Sequence, residues 1–171
     1  MPLFIQTPRF VIRDFKPEEV NTYMSLFDDD MVTVHLPSRS RKEHLEIFHD
    51  AFKDYAKGNA LGRWGMFNNG DGDFIGLCLL RKYDYPGQVE LGYVMHQKYW
   101  GKGIASEMAR ILVGYGFTNT DANEIVAVTT LENIGSQRVL LKAGMTRMDN
   151  IIRPNERKEL AFFKIERSTP L

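Results

Sequence analysis

The sequence predicts a single α/β (α+β) domain over residues 1–171 with the element order βααβββαβαββ, and three observations predict it. A chain of 171 residues is long enough to bury roughly 70% of its unfolded surface around one core. Seven segments carry the alternation or β-branched runs of strands, and four carry apolar residues at helical spacing. Turns rich in Gly, Asn, Asp or Pro separate them, and no repeat, low-complexity tract or linker divides the chain.

Arg9-Phe10-Val11-Ile12-Arg13 alternates and reads as the first strand. Pro17 suits the first turn of a helix and Glu18 and Glu19 its positive end, after which Val20, Tyr23, Met24 and Phe27 keep helical spacing. A polar break from Asp28 to Ser38 leads to Ser40-Arg41-Lys42-Glu43, a capping box, and a second helix with Leu45, Phe48, Phe52 and Tyr55 on one face, ending near Lys57-Gly58. Trp64 to Phe67 and Phe74 to Leu80 flank the turn-rich run Asn68 to Asp73 as a hairpin, and Val89 to Met95 is the third strand of this set. From Ile104, the residues Ile104, Met108, Ile111, Leu112 and Tyr115 mark a third helix. Glu124 to Thr129 is a strand. Asn133 caps a fourth helix running to Lys142-Ala143, with Gly144 as its stop. Thr146 to Ile152 and Leu160 to Ile165 close the chain as two strands around the polar turn from Arg153 to Lys158.

The composition, 43% hydrophobic and 26% charged, is that of an ordinary soluble protein. No stretch approaches a membrane span, and the start Met1-Pro2-Leu3-Phe4-Ile5 lacks the basic flank of a signal peptide, so a cytoplasmic location without a membrane partner is expected. The 22 Lys plus Arg balance the 22 Asp plus Glu, so no general field attracts nucleic acid. Cys78 is the single cysteine; it excludes an intramolecular disulfide and a multi-cysteine zinc site, and Ile75, Leu77, Leu79 and Leu80 around it predict a buried thiol. His35, His44 and His49 lack metal-ligand spacing, and no metal is expected. The Asn, Asp and Gly run from 68 to 73 lacks the glycine placement and final glutamate of a calcium loop.

Chemistry concentrates where the third strand of the hairpin set runs through His96 into Trp100-Gly101-Lys102-Gly103 and a helix begins. A helix N-terminus offers unpaired amides and a positive dipole end, glycines 101 and 103 let an anion approach the backbone, and Lys102 adds charge. A pyrophosphate suits the turn; a tight connection with no ligand is the alternative. A P-loop is disfavoured, since Gly103 follows the lysine in place of Ser or Thr and Gln97 stands where its first glycine belongs. A dinucleotide fingerprint is disfavoured because Ser106 replaces its third glycine and Asp121 precedes the next strand.

The segment Trp100 to Glu107, W-G-K-G-I-A-S-E, resembles the coenzyme A loop of the GNAT acyltransferase superfamily, with Gly103 and Ala105 in the last two places of its pattern. Trp100 stands where most members have Gln or Arg, a departure similar to the RimJ/RimL-type branch that acetylates ribosomal-protein N-termini. Thr7 to Arg13, Glu90-Leu91-Gly92-Tyr93 and Asn133 to Leu140 continuing to Gly144 also resemble that branch, so the likeness covers nearly the whole chain in order. It implies a mixed, strongly twisted sheet of about six to seven strands flanked by about four helices, with acetyl-CoA as co-substrate. It implies that Trp100, Gly101, Lys102, Gly103, Ile104, Ala105 and Ser106 hold the coenzyme, with its pantetheine arm along Val94 and Met95.

In such a family an amine attacks the thioester directly. Glu90 is the candidate base, entering the cofactor loop on its strand, and a salt-bridged strand glutamate is the alternative. Glu107 and Glu132 are weaker candidates. An N-terminal amine near pKa ~8 needs about 1.4 kcal/mol to be neutral at pH 7 and lysine near ~10.4 about 4.6, so a weak base or water suffices for the former. The tyrosine that many members use as acid is replaced by Leu140. By resemblance Ser136 takes that role and Asn133 contacts the pantetheine arm or orients the loop, with N-cap and first-turn roles as alternatives. His96 is read as a sheet-edge residue. The acceptor is a primary amine, on a peptide N-terminus or a small molecule, recognised by the first two helices, the segment 28–38 and the turn 153–158. A coenzyme A-binding module that acts through a partner is the alternative class, and monomer and homodimer both stay open.

Overall fold

The expected first strand is preceded by another. In the computed structural model, which describes residues 2–154 and 157–168, β1 (Phe4–Gln6) pairs antiparallel with β2 (Phe10–Arg13), Phe4 opposite Arg13. Three residues are too few to show a period. Pro8 cannot donate to a ladder, and Thr7 Oγ1 accepts from the amides of Arg9 and Phe10 at 3.1 and 3.0 Å, which turns the chain between the two strands.

The first expected helix is short and broken. A 3-10 turn at Pro17–Glu19 leads into α1 (Val20–Met24), and a second 3-10 turn covers Ser25–Asp28. Within the polar break lies α2 (Asp30–Thr33), a single turn whose first amides are met by Asp29, accepting from Met31 at 2.9 Å. α3 (Arg41–Lys57) carries the expected box: Ser40 Oγ accepts from the Glu43 amide at 3.1 Å, and Glu43 accepts from the Ser40 amide at 3.0 Å. Gly58 ends it at φ 65°.

β3 (Gly62–Asn68), β4 (Phe74–Lys82) and β5 (Gln88–Met95) follow, with Asn68 donating to the Asp73 carbonyl at 2.8 Å across the first turn. Then come α4 (Ile104–Asn119), β6 (Glu124–Thr130), α5 (Ile134–Lys142), β7 (Thr146–Ile152) and β8 (Glu159–Glu166). The hydrogen-bonded strand order is β1-β2-β3-β4-β5-β6-β8-β7. The sheet is mixed: β5 runs parallel to β6, while β1 with β2, β2 with β3, β6 with β8 and β7 with β8 are antiparallel. Among the described residues eight strands replace the expected six to seven and five helices the expected four, the additions being β1 and α2. Asn155 and Glu156, in the expected 153–158 turn, lie outside the described residues.

Two compact units divide the chain, Met1–Leu79 with Tyr93–Trp100, and Leu80–Gly92 with Gly101–Leu171. The core of the first is aromatic. Phe15 meets Tyr23, Phe48, Phe67 and Phe74 edge-on, with ring centroids 5.6 to 6.3 Å apart. Such pairs add about 0.5–1.5 kcal/mol each beyond area burial. The second unit buries Ile104, Met108 and Leu112 of α4, Ile125 and Val126 of β6, and Phe163 of β8.

In the first unit β4 and β5 approach so closely that glycine is required. A Cβ on Gly76 would lie 2.1 Å from the Val94 carbonyl oxygen and 2.8 Å from Met95 Cα, both backbone atoms that cannot swing aside. Gly76→Ala is expected to destabilise the protein by about 1–3 kcal/mol or more, read as a lower urea midpoint at unchanged slope. A native midpoint would contradict this close approach.

Candidate active site

The glycine turn has the backbone that anion binding demands. Gly101 and Gly103 sit at φ 72° and 78°, in the left-handed region. Gly103 is the N-cap of α4 and no side chain caps the helix. The first helical bond there runs from the Glu107 amide to the Gly103 carbonyl at 3.1 Å, so the amides of Ile104, Ala105 and Ser106 stand ahead of the helical ladder. The side chains of Ile104 and Ser106 are buried, which leaves their backbone as the part able to meet a ligand. Lys102 is exposed beside them. This donor set fits a pyrophosphate: several amides, a dipole end and one cation, with no carboxylate on the turn itself.

In the first unit, Trp100 is 46% exposed and its indole Nε1 donates to the Met95 carbonyl at 2.9 Å. Met95 is buried, and Val94 packs its side chain on the aromatic core. The Met95 side chain is therefore not available to line a binding surface and its carbonyl is already engaged, while Val94 stays partly exposed. β5 pairs with β6 from Gln88 to Glu90, opposite Glu124 to Val126.

Glu90 is 5% exposed, with Oε2 accepting from Arg81 Nε at 2.9 Å and Oε1 from Arg153 at 2.6 Å. Burial works against the Arg153 charge, but Glu90 and Tyr83 outweigh it and hold the guanidinium above its ordinary pKa. With each oxygen already accepting a charge-assisted bond, this geometry favours the salt-bridged alternative over the expected base. Arg81 and Arg153 escaped the sequence reading as partners of Glu90 because an ion pair between separate strands or segments leaves no periodic trace.

Asn133 caps α5, its Oδ1 accepting from the Ser136 amide at 3.1 Å. Ser136 is half-buried in the first turn, and Leu140 is buried in the core one turn beyond. His96 is not at an open edge: its Nε2 pairs with Ser25 Oγ at 3.1 Å and its ring meets Phe74 edge-on at 5.7 Å. Burial, and then Lys98, push its pKa down. Cys78 is fully buried, and that burial pushes its thiol pKa well up, so it stays protonated and cannot serve as a nucleophile. Glu107 lies in the first turn of α4, and Glu132 is exposed, 3.8 Å from Lys158. Among the described residues no cluster of three or more His, Cys, Asp or Glu is placed to hold a metal ion, and no helix is long and apolar enough to cross a membrane.

The family model for the acetyltransferase (GNAT) domain matches residues 9–146. The chain belongs to the GNAT acetyltransferase family. A GNAT relative, the uncharacterized N-acetyltransferase YnaD of Bacillus subtilis, is 30% identical over 145 residues, 85% of this chain and 84% of that protein. The GNAT-family acetyltransferase structure from Bacillus anthracis shares 25% identity and a TM-score of 0.80, covering 96% of this chain and 98% of the other. The fold is shared too with a RimL ribosomal-protein α-N-acetyltransferase solved in complex with coenzyme A, at 13% identity and a TM-score of 0.80 over 96% and 98% of the two chains. Membership assigns to the molecule an acetyltransferase activity with acetyl-CoA as co-substrate.

Proposed function

We propose that this GNAT enzyme moves an acetyl group from acetyl-CoA directly to a primary amine. The observation that carries the reading is the uncapped N-terminus of α4, entered through two glycines at positive φ. Gly101 to Ser106 hold the pyrophosphate through backbone amides, and Lys102 supplies a cation. Trp100, directly before this turn in sequence, has its indole tied to the Met95 carbonyl.

The neutral amine attacks the thioester carbonyl, forming the C–N bond; the tetrahedral oxyanion then collapses, and the C–S bond breaks with its electron pair on sulfur. Ser136 hydrogen-bonds the departing thiolate and relays to it a proton that water replaces on the serine hydroxyl, while the proton shed by the amine passes to water. Asn133 fixes the turn that carries Ser136, since it holds the Ser136 amide. Glu90 acts indirectly by holding Arg81 and Arg153 in place.

A protein or peptide N-terminus is a favoured acceptor class. Its neutral form needs about 1.4 kcal/mol at pH 7, within reach of a site without a dedicated base. The RimJ/RimL-like motif around Trp100 and the fold shared with a ribosomal-protein α-N-acetyltransferase support the same class.

Coenzyme A or acetyl-CoA at a hundredfold excess over Kd is expected to stabilise the folded chain by about 2.7 kcal/mol, visible as a melting shift. Free thiol should then appear from acetyl-CoA when a pooled amine panel is added. Larger shifts with ATP or NAD and none with coenzyme A would overturn the assignment. A coenzyme A shift without thiol release from any amine would favour a binding module.

A further inference from the structure

In the second unit the Glu90 carboxylate lies between two guanidinium groups. Arg81, on the neighbouring strand β4, donates to it through Nε at 2.9 Å, and Arg153, just after β7, donates at 2.6 Å. Two positive charges and one negative leave a net +1. The side chains differ in exposure: Glu90 is 7% exposed, Arg153 19% and Arg81 45%. Among the described residues Arg81 has no other hydrogen-bond partner, so the N–H groups of its two terminal nitrogens are left to meet solvent or a ligand. An arginine held at Nε and open at its far end is a fixed fork, the geometry that meets a carboxylate with two parallel hydrogen bonds.

Stability does not account for the trio. Drawing a carboxylate out of water is costly, and its ion pairs return little beyond that cost. An apolar residue at position 90, beside Val126 in the β5–β6 register, would pack there with no charge to match. What the buried carboxylate supplies is orientation. Neighbouring charges do not cancel the pair of arginines: Lys164, opposite Val126, is engaged by Glu124 and Glu166 at 3.2 Å each, and Asp84 acts on Tyr83 less strongly than Arg153 does.

A partly exposed apolar strip leads away from the trio within the same unit. Arg153 lies 5.6 Å from the Tyr83 ring, Tyr83 stacks on Phe162 at 6.1 Å, and Phe162 pairs in register with Val128. β6 ends at Thr130, and the next helix, capped by Asn133, carries Ser136 in its first turn. From Val126, level with Glu90, to Thr130 the strand advances about 13 Å. That span exceeds the separation of amine and carboxylate in a free amino acid and suits a few residues of extended peptide.

We propose that Arg81, oriented by Glu90 and backed by Arg153, binds the side-chain carboxylate of an acidic residue lying a few positions behind the N-terminal amine of a peptide acceptor. The net charge of +1 matches one carboxylate better than a doubly charged phosphate. This inference rests on the acetyltransfer reading and names the class of N-terminus that the enzyme acetylates.

The test uses short peptide amides that carry Glu or Gln at the second, third or fourth position, following thiol release from acetyl-CoA and correcting kcat/KM for the fraction of neutral amine. Wild type is expected to prefer Glu at least tenfold at one or more of these positions, and Arg81→Gln, at an exposed residue, should bring that ratio to threefold or less. A merely structural arginine would lower turnover of the Glu and Gln peptides alike and leave the ratio intact, which would overturn the proposal. Equal use of both peptides by wild type would overturn it too, as would a stronger preference for phosphoserine than for Glu, or a preference for acid over amide confined to free amino acids. If coenzyme A binds but no peptide turns over, calorimetric titration of the two peptides into the coenzyme-loaded protein decides: a tenfold difference in Kd that Arg81→Gln abolishes supports the site, and equal binding overturns it. If coenzyme A itself gives no melting shift, the acetyltransfer reading fails, and the same titration into the unliganded protein judges the carboxylate site separately.

Discussion

Gly103→Val is expected to weaken coenzyme A binding at least a hundredfold, about 2.7 kcal/mol, while the far-ultraviolet circular dichroism stays near native. Gly103 adopts φ 78°, a region that a β-branched residue occupies with a strain of about 1–3 kcal/mol. Valine therefore pushes the turn toward another backbone conformation and rotates the amides of 104 to 106 away from a common target. It also places a branched side chain at the head of α4, where no side chain now stands between the helix amides and an incoming phosphate. The helix itself is secured elsewhere, by Met108, Ala109 and Leu112, each completely buried. Calorimetric titration of coenzyme A into both proteins measures the effect. At Gly101 a Cβ would meet no neighbouring atom, so Gly101→Ala separates backbone conformation from obstruction and should weaken binding less. Affinity unchanged in Gly103→Val would mean that the turn is a connection and nothing more.

Features written in neighbouring residues were legible in the sequence. Ser40 and Glu43 announce the start of α3, Gly58 its end, and Asn133 and Gly144 bracket α5, because each signal satisfies backbone groups within a few positions of itself. The turn before α4 was legible for the same reason: a strand, two glycines and a helical period follow one another directly. β1 and α2 were hidden, since three or four residues carry no period and their stability comes from partners. Side-chain function across the chain was the least legible. Glu90 stood out as a carboxylate on the right strand, but its place between Arg81 and Arg153 depends on the neighbouring strand β4 and on the segment after β7, which is far away in sequence. Tyr23 read as one apolar position of a helix and His44 as a scattered histidine; the stacking of His44 on Phe27 exists only after α3 has packed against the segment that follows α1.

Ser136→Ala is expected to lower kcat about ten to a thousandfold with little change in acetyl-CoA affinity. One positioned proton donor contributes on the order of 10² to 10⁴, and a thiol with pKa near ~8.5 leaves tolerably well unaided, which places the effect toward the lower end. A hydrogen bond that strengthens as charge develops on sulfur acts on the transition state, so binding of the ground-state thioester is spared. The geometry at α5 also separates this role from a structural one. The start of the helix is secured by Asn133 Oδ1 accepting from the Ser136 amide, a bond that alanine at position 136 retains. Ser136→Ala should therefore lose less stability than the loss of the cap itself, since alanine is also the better helix former. Asn133→Ala removes the cap instead and should cost about 1 kcal/mol of stability. Measuring turnover and unfolding free energy on both variants gives four numbers. A Ser136→Ala protein with native turnover and reduced stability would assign the serine to the fold and leave solvent to protonate the departing thiolate.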